Sequence, residues 1–365
     1  MIGRRPHTAE ARKQGSAERA FILRALRCLI LRESAEVHLP CDVDRDELCR
    51  LASRFGLEPI LQSLLRPSDL SPDLWTRWQH LRMLSLRENA RACRTVSSLF
   101  VHLQSAGISA AVMRGLSLAY TLYPDPSLRP MHDIDLLIKP EDAAGFEAAL
   151  QAVGHTPAKR LRSQLVYRVD ERVIEVHWSV LTAKRYRKAI SPSDLLATRR
   201  EIPLPGGAVL YVLAIEQELL ALISHALVHH EMARMLSVID IGLAMVQGGV
   251  DWDRFLGLCR TARLTHMAGL TLAFVNRILD LGCDHIVQMF KVPEAKARGF
   301  SDAYQAHLFG QIGLRHYLTR KRALFYMAET PARRFRQALR LFSQKEIRTM
   351  WAHVAGNPQP SVEED

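Results

Sequence analysis

The sequence has no long uninterrupted apolar run. Its most hydrophobic N-terminal segment, FILRALRCLILR at residues 21–32, is broken by arginines. No signal peptide and no membrane span of about 20 apolar residues is therefore expected, and the segment reads as a buried amphipathic helix. Cysteine is sparse and unpatterned: Cys28, Cys41, Cys49, Cys93, Cys259 and Cys283 form no C-x-x-C pair and show no zinc spacing. That excludes a disulfide framework and points to free thiols in a reduced, cytoplasmic setting. There is no H-E-x-x-H, no internal repeat and no long low-complexity linker. No helix-turn-helix or RNA-recognition pattern is present, so a nucleic acid is not expected as partner. Acidic residues are the minority, with Asp+Glu 38 against Lys+Arg 49, a formal net charge of +11 and a sequence pI near 9.6. A basic balance favours an anionic ligand such as a nucleoside triphosphate, but a solvated arginine-rich surface explains it equally well.

What is present suffices for a sizeable core, since 48% of the 365 residues are hydrophobic. Residues 1–18 read as a disordered basic arm. Apolar residues then recur at helical spacing over 20–31, 44–54, 59–65 and 73–106, giving a helical N-terminal region (19–107) expected to pack on a sheet. Residues 110–113 and 133–138 read as strands, and Pro140 opens a helix that Gly154 stops. Runs 164–169 and 172–180 read as a hairpin turning at Asp170 and Glu171. The basic stretch 183–204 reads equally as a contact for an anionic substrate or as a solvent-facing loop followed by a short helix, and Pro205 to Gly207 as a turn before the strand VLYVL. The core would thus span 108–212. A helical region (213–350) follows, with a helix from Ala214 to about His230, a second one carrying Arg234 and Asp240, a cap at Asp251, and helical pattern over 255–290 and 300–345. The tail 351–365 reads as disordered.

The chemistry concentrates between Ala110 and Lys139, AAVMRGLSLAYTLYPDPSLRPMHDIDLLIK. Asp133 and Asp135 alternate on a strand, so both carboxylates share one face. Two such charges a few Å apart are tolerable near neutral pH when a divalent cation lies between them or one is protonated. Oxygen donors of this kind suit Mg²⁺. Upstream, Gly115 at a strand-to-helix turn leaves room for a phosphate, with Arg114 and Ser117 beside it. Glu175, His177 and Ser179 form the polar face of the hairpin's second strand, and Glu175 would lie beside the aspartates if the strands are neighbours. His177 itself reads as a hydrogen-bonded structural histidine. His225 and His229, one helical turn apart, could chelate a metal; lacking a third ligand, they read instead as cleft residues.

Strand, Gly/Ser turn, helix and strand with D-x-D together resemble the DNA-polymerase-β-like nucleotidyltransferases. The resemblance is nearest to their uncharacterised bacterial branch and covers roughly residues 85–265. It rests on R-G-L-S-L-A at Arg114 to Ala119, Tyr123 to Ile138 ending in D-I-D-L-L-I, E-V-H-W at Glu175 to Trp178, His225 with His229, and Arg234 followed by Asp240. Leu116 separates Gly115 from Ser117, a departure from the superfamily's usual turn. The resemblance implies an α+β fold, a small mixed β-sheet core with helical N-terminal and C-terminal regions. It also implies a nucleoside triphosphate substrate, bound at Arg114, Gly115, Ser117 and Arg129. Asp133, Asp135 and Glu175 would be catalytic and hold Mg²⁺, while His177, His225, His229 and Arg234 would face the cleft or the acceptor. The implied reaction moves a nucleoside monophosphate from the triphosphate to a hydroxyl or other oxygen of a small-molecule, saccharide or peptide acceptor and releases pyrophosphate. A noncatalytic nucleotide-binding scaffold and a toxin-like enzyme acting on tRNA or protein are the alternatives.

Overall fold

The computed structural model describes residues 9–33, 37–161, 164–181, 186–204 and 207–309, with side chains from Ala17 onward. Helices α1 (Ala9–Leu31), α2 (Arg45–Phe55) and α3 (Glu58–Leu64) precede the 34-residue α4 (Pro72–Ser105). The central region then runs β1 (Ala110–Met113), α5 (Gly115–Thr121), β2 (Asp133–Ile138), α6 (Ala143–Ala152), β3 (Lys159–Arg160) and β4 (Gln164–Val169). It continues through β5 (Arg172–His177), α7 (Pro192–Ala197), β6 (Arg200–Pro203) and β7 (Val209–Val212). Helices α8 (Ile215–Val228), α9 (Met235–Gln247), α10 (Trp252–Ala262), α11 (Thr265–Leu279), α12 (Asp284–Met289) and α13 (Glu294–Leu308) complete the described chain. The expected helix over 300–345 and the expected tail fall outside the described residues beyond Phe309, as do residues 1–8 of the expected arm; α1 already begins at Ala9.

The strands form one mixed sheet in the order β3-β4-β5-β2-β1-β7-β6, the small mixed sheet the sequence implied. β2 pairs antiparallel with β1 and parallel with β5, which puts the D-x-D strand at the sheet's centre. Strand alternation divides the side chains. Val112, Ile134, Leu136, Ile138, Tyr167, Ile174 and Val176 enter a core with the second half of α4 (Val96, Phe100, Leu103) and with Phe146 and Leu150 of α6. Ala111, Met113 and Leu137 face the opposite side, toward the helical layer, and Asp135, Glu175 and His177 share that parity.

The structure corrects several expectations. Among the described residues α4 is the one of the four N-terminal helices with substantial strand contact (β7); α1 lies chiefly against α9 and α11, in one apolar core with the C-terminal helices and the inner sheet residues Ala111, Met113 and Leu137. Such long-range pairing leaves no local mark in a sequence. β5 ends at His177 rather than Val180, where the Ser179 hydroxyl bonds the Leu181 N–H and terminates the ladder. The basic stretch contains an edge strand, β6, whose residues are mostly exposed and so carry no apolar alternation. Pro140 opens a 3-10 turn before α6 starts at Ala143. The expected turn at Asp170 and Glu171 is present, both at left-handed φ (49° and 65°), as a two-residue hairpin requires. Among the described residues no helix is long and apolar enough to cross a membrane.

Helix α11 approaches the α12–α13 segment at Gly269, where a Cβ would lie 2.5 Å from Val292 Cγ2 and 2.6 Å from Phe290 Cβ. Gly269→Ala should therefore destabilise the protein by about 1–3 kcal/mol, because overpacking outweighs alanine's better helix propensity. Urea unfolding would measure it.

Candidate active site

A cleft of about 810 Å³ lies between the sheet's polar face, α4, the α2–α3 corner and the start of α9. Asp133, Asp135 and Glu175 all line it. Asp135 stands directly opposite Glu175 in the parallel β2–β5 ladder. Donor atoms of Asp135, Glu175 and His177 lie within 4.8 Å of one another. Asp133 is two residues up β2, exposed at the cleft.

Arg114 organises this cluster. Its Nη2 donates to Asp135 Oδ1 at 2.5 Å and lies 3.1 Å from His177 Nε2, while Nη1 meets His225 Nδ1 at 2.6 Å. His177 Nε2 is itself 2.9 Å from Asp135 Oδ1 and 3.5 Å from Glu175 Oε2. Arg114 occupies a backbone conformation that L-residues rarely adopt, φ 59° and ψ −129°. Strain of this kind costs about 1–3 kcal/mol and persists only where surroundings hold it. The holding group is Glu218 of α8, 2% exposed, whose Oε1 accepts the Arg114 N–H.

The charges follow from this packing. Burial would raise Asp135, but Arg114 outweighs it and, with His177, holds the carboxyl below its ordinary value. Asp133 is pushed up by the cleft walls and by the Asp135 charge. Glu175 is pushed up by burial and by Asp135. The cluster thus pairs one firmly ionised carboxylate with two that hold a proton more readily, as expected of like charges sharing a site. Burial lifts Glu218 further, to about 8, against the opposing Arg114 N–H. A carboxyl whose folded pKa lies above its unfolded one binds extra protons when folded, so its contribution to stability declines as pH rises from about 4.5 to 8. Glu218→Gln should flatten that decline in thermal-unfolding midpoints taken across this window.

The remaining site candidates separate. Gly115, Arg129, His225 and Arg234 line the cleft, whereas Ser117, 2% exposed, does not. Arg129 is bound bidentately to Asp240 of α9, through Nε at 3.0 Å and Nη2 at 2.8 Å, and Tyr123 donates to the same carboxylate. This network clamps the 123–130 segment that leads into the aspartates. Arg234 is the residue before α9 rather than within it. His229 stacks on His225 without lining the cleft; His230 lines it instead. The i,i+4 spacing pointed to His229, but α8 ends at Val228, and the chain turns through Glu231 and Met232 at positive φ. Glu218, His230 and the α4 residues Ser85 and Glu88 belong to the site or its support and were not singled out from sequence, while Asp240 entered there only as part of the motif that follows Arg234. Glu218 gave no distinct signal, because it stands with Glu216 and Gln217 in the first turn of α8, where acids are ordinary.

Gly115 keeps the cleft floor open. A Cβ there would meet Arg129 Nη1 at 3.4 Å and Met131 at 3.6 Å, ordinary distances that the fold tolerates. Gly115→Ala should leave the unfolding midpoint nearly unchanged while weakening any ligand seated over the turn, a contrast readable by thermal melts beside calorimetric titration.

Three solved structures are similar to part of this chain. A crystal structure of ANT(2")-Ia in complex with adenylyl-2"-tobramycin is 14% identical, covering 47% of this chain and 97% of that one, with a TM-score of 0.37. The solution structure of the antibiotic-resistance factor ANT(2'')-Ia is 14% identical, covering 54% and 98%, with a TM-score of 0.35. An antigenic nucleotidyltransferase-like protein from Paracoccidioides brasiliensis is 16% identical, covering 54% and 91%, with a TM-score of 0.38. No curated protein matches the chain. The family model described as "uncharacterised nucleotidyltransferase" matches residues 42–280, which include every cleft residue named above, and the chain belongs to this family of nucleotidyltransferases.

Proposed function

We propose that the protein transfers a nucleoside monophosphate from a nucleoside triphosphate to a hydroxyl of a small-molecule, saccharide or peptide acceptor, with Mg²⁺ as cofactor. The observation that carries this reading is the register of β2 and β5, which sets Asp135 against Glu175 on one face of the cleft with Asp133 beside them. The donor set fits a hard cation: Asp133, Asp135 and Glu175 offer carboxylate oxygens, and burial together with the Asp135 charge raises the proton affinity of the other two, a penalty on their ionised forms that a divalent ion would offset. When bound, Mg²⁺ neutralises charge on the attacking and leaving oxygens of the phosphoryl group.

The chain's own residues supply the rest. Arg114, fixed by Glu218 and His225, keeps Asp135 ionised and in place. Glu175, whose carboxyl is pushed upward, is suited to take the acceptor hydroxyl's proton as its oxygen bonds the α-phosphorus and the bond to the pyrophosphate oxygen breaks. Gly115 leaves the floor clear for the triphosphate, and the Arg129–Asp240 clamp holds the segment that presents Asp133.

The test is pyrophosphate release from each of the four ribonucleoside triphosphates with Mg²⁺, against a panel of polyhydroxylated small molecules. Wild type should release pyrophosphate with at least one pair and Asp133→Asn should not. Equal release by both proteins would rule the reading out.

A further inference from the structure

Six arginines line the cleft, and five have partners: Arg114 and Arg129 pair with Asp135 and Asp240, Arg172 with Glu88, Arg91 with Glu88 and Glu171, and Arg54 donates to the Leu308 and Phe309 carbonyls. Arg234 is exposed, and its guanidinium has no hydrogen bond or ion pair among the described residues. A second donor stands close to it in sequence and cleft. His225 Nδ1 lies 2.6 Å from Arg114 Nη1, and a guanidinium only donates, so Nδ1 must be the accepting nitrogen. His225 is kept neutral by burial and by the Arg114 charge, which leaves its proton on Nε2. That proton points at His230 Nε2, 2.9 Å away, making Nε2 of His230 an acceptor in turn. His230, pushed down to about 4 by burial and by Arg234, is neutral as well and carries its proton on Nδ1. Nδ1 has no partner among the described residues, and His230 lines the cleft. The chain from Arg114 runs one way, so His230 is locked as a donor.

We propose that Arg234 and His230 form an anion subsite for the terminal phosphates of the nucleotide, the part that leaves as pyrophosphate. The proposal rests on the nucleotide reading above. It divides the cleft's charge: the acidic cluster serves the α-phosphoryl end, while one unpartnered cation and one fixed neutral donor serve the β- and γ-phosphates. A guanidinium beside an N–H donor matches the charge-assisted bonds that phosphate oxygens take. The same chemistry could serve an anionic group on the acceptor, and the choice of probes separates the two.

The experiment is calorimetric titration of ATP, AMP and inorganic pyrophosphate, each with Mg²⁺, into wild type, Arg234→Gln and His230→Phe. Arg234 is exposed, so its variant is expected to fold. ATP and pyrophosphate should each bind Arg234→Gln about 10-fold or more weaker than wild type, because glutamine cannot make the charge-assisted bond to phosphate, with AMP unchanged. His230→Phe should show the same pattern, smaller in size. Unchanged ATP and pyrophosphate affinities, or an equal loss for AMP, would overturn the subsite and leave the acceptor's anion as the occupant. If pyrophosphate binds in an Arg234-dependent way while no nucleotide does, the subsite stands and the nucleotide reading falls. If wild type binds none of the three, both fall. Imidazole ¹H–¹⁵N correlation spectra give an independent check: His230 should be the Nδ1–H tautomer at neutral pH, and an Nε2–H form would break the chain.

Discussion

Asp240→Ala is expected to cost about 3–5 kcal/mol of folding stability, a large effect for a single substitution. Asp240 is 1% exposed and accepts from Arg129 Nε, Arg129 Nη2 and the Tyr123 hydroxyl. Removing the carboxylate strands a buried guanidinium and a phenol whose proton is held tightly by burial and by that same charge. The size comes from the stranded groups rather than from the worth of the pair, which need not be net favourable. Replacing both partners, Asp240→Leu with Arg129→Met, should thus recover a large part of the loss. Urea unfolding of the two variants measures both; a double variant no more stable than Asp240→Ala would show that the clamp's geometry, not charge burial, dominates.

Glu175→Gln is expected to reduce nucleotidyl transfer by about 10²–10⁴-fold, the range for loss of a proton-accepting group. Stability should hold or rise slightly, because burial and Asp135 already disfavour the Glu175 charge and glutamine removes it at constant shape. Asp135→Asn should behave differently, losing stability as well, since Arg114 would keep a buried charge without its carboxylate. Steady-state rates beside thermal melts separate the two behaviours. A Glu175→Gln protein that melts well below wild type would mean that Glu175 is a structural ion-pair partner.

The site's centre was legible because period-2 alternation is a local property. D-I-D fixed two carboxylates to one face of β2, and E-V-H put Glu175 and His177 on one face of β5. The register that joins them, Asp135 against Glu175, is where that expectation met the structure. What could not be read depends on distant packing. Glu218 reaches Arg114 across 104 residues, and the strained φ at Arg114 has no signature in a residue type that ordinarily avoids it. The exchange of His229 for His230 hangs on where α8 stops, and helix ends are set by capping and tertiary packing more than by periodicity. The α2–α3 corner and α4 enter the cleft through packing between distant segments, α1 against α9 and α11 and α3 against α4, an arrangement no local pattern announced.

The function proposed above stands on a metal-dependent nucleotide site formed by the carboxylates of β2 and β5. Its most direct test is calorimetric titration of each nucleoside triphosphate into wild type and into an Asp133→Asn, Glu175→Gln double variant, with and without Mg²⁺. This pair spares Asp135 and so leaves the Arg114 anchor intact. Binding of at least one triphosphate that needs Mg²⁺, and that disappears in the folded double variant, is the predicted result. Binding of equal strength in both proteins, or binding indifferent to Mg²⁺, would contradict it.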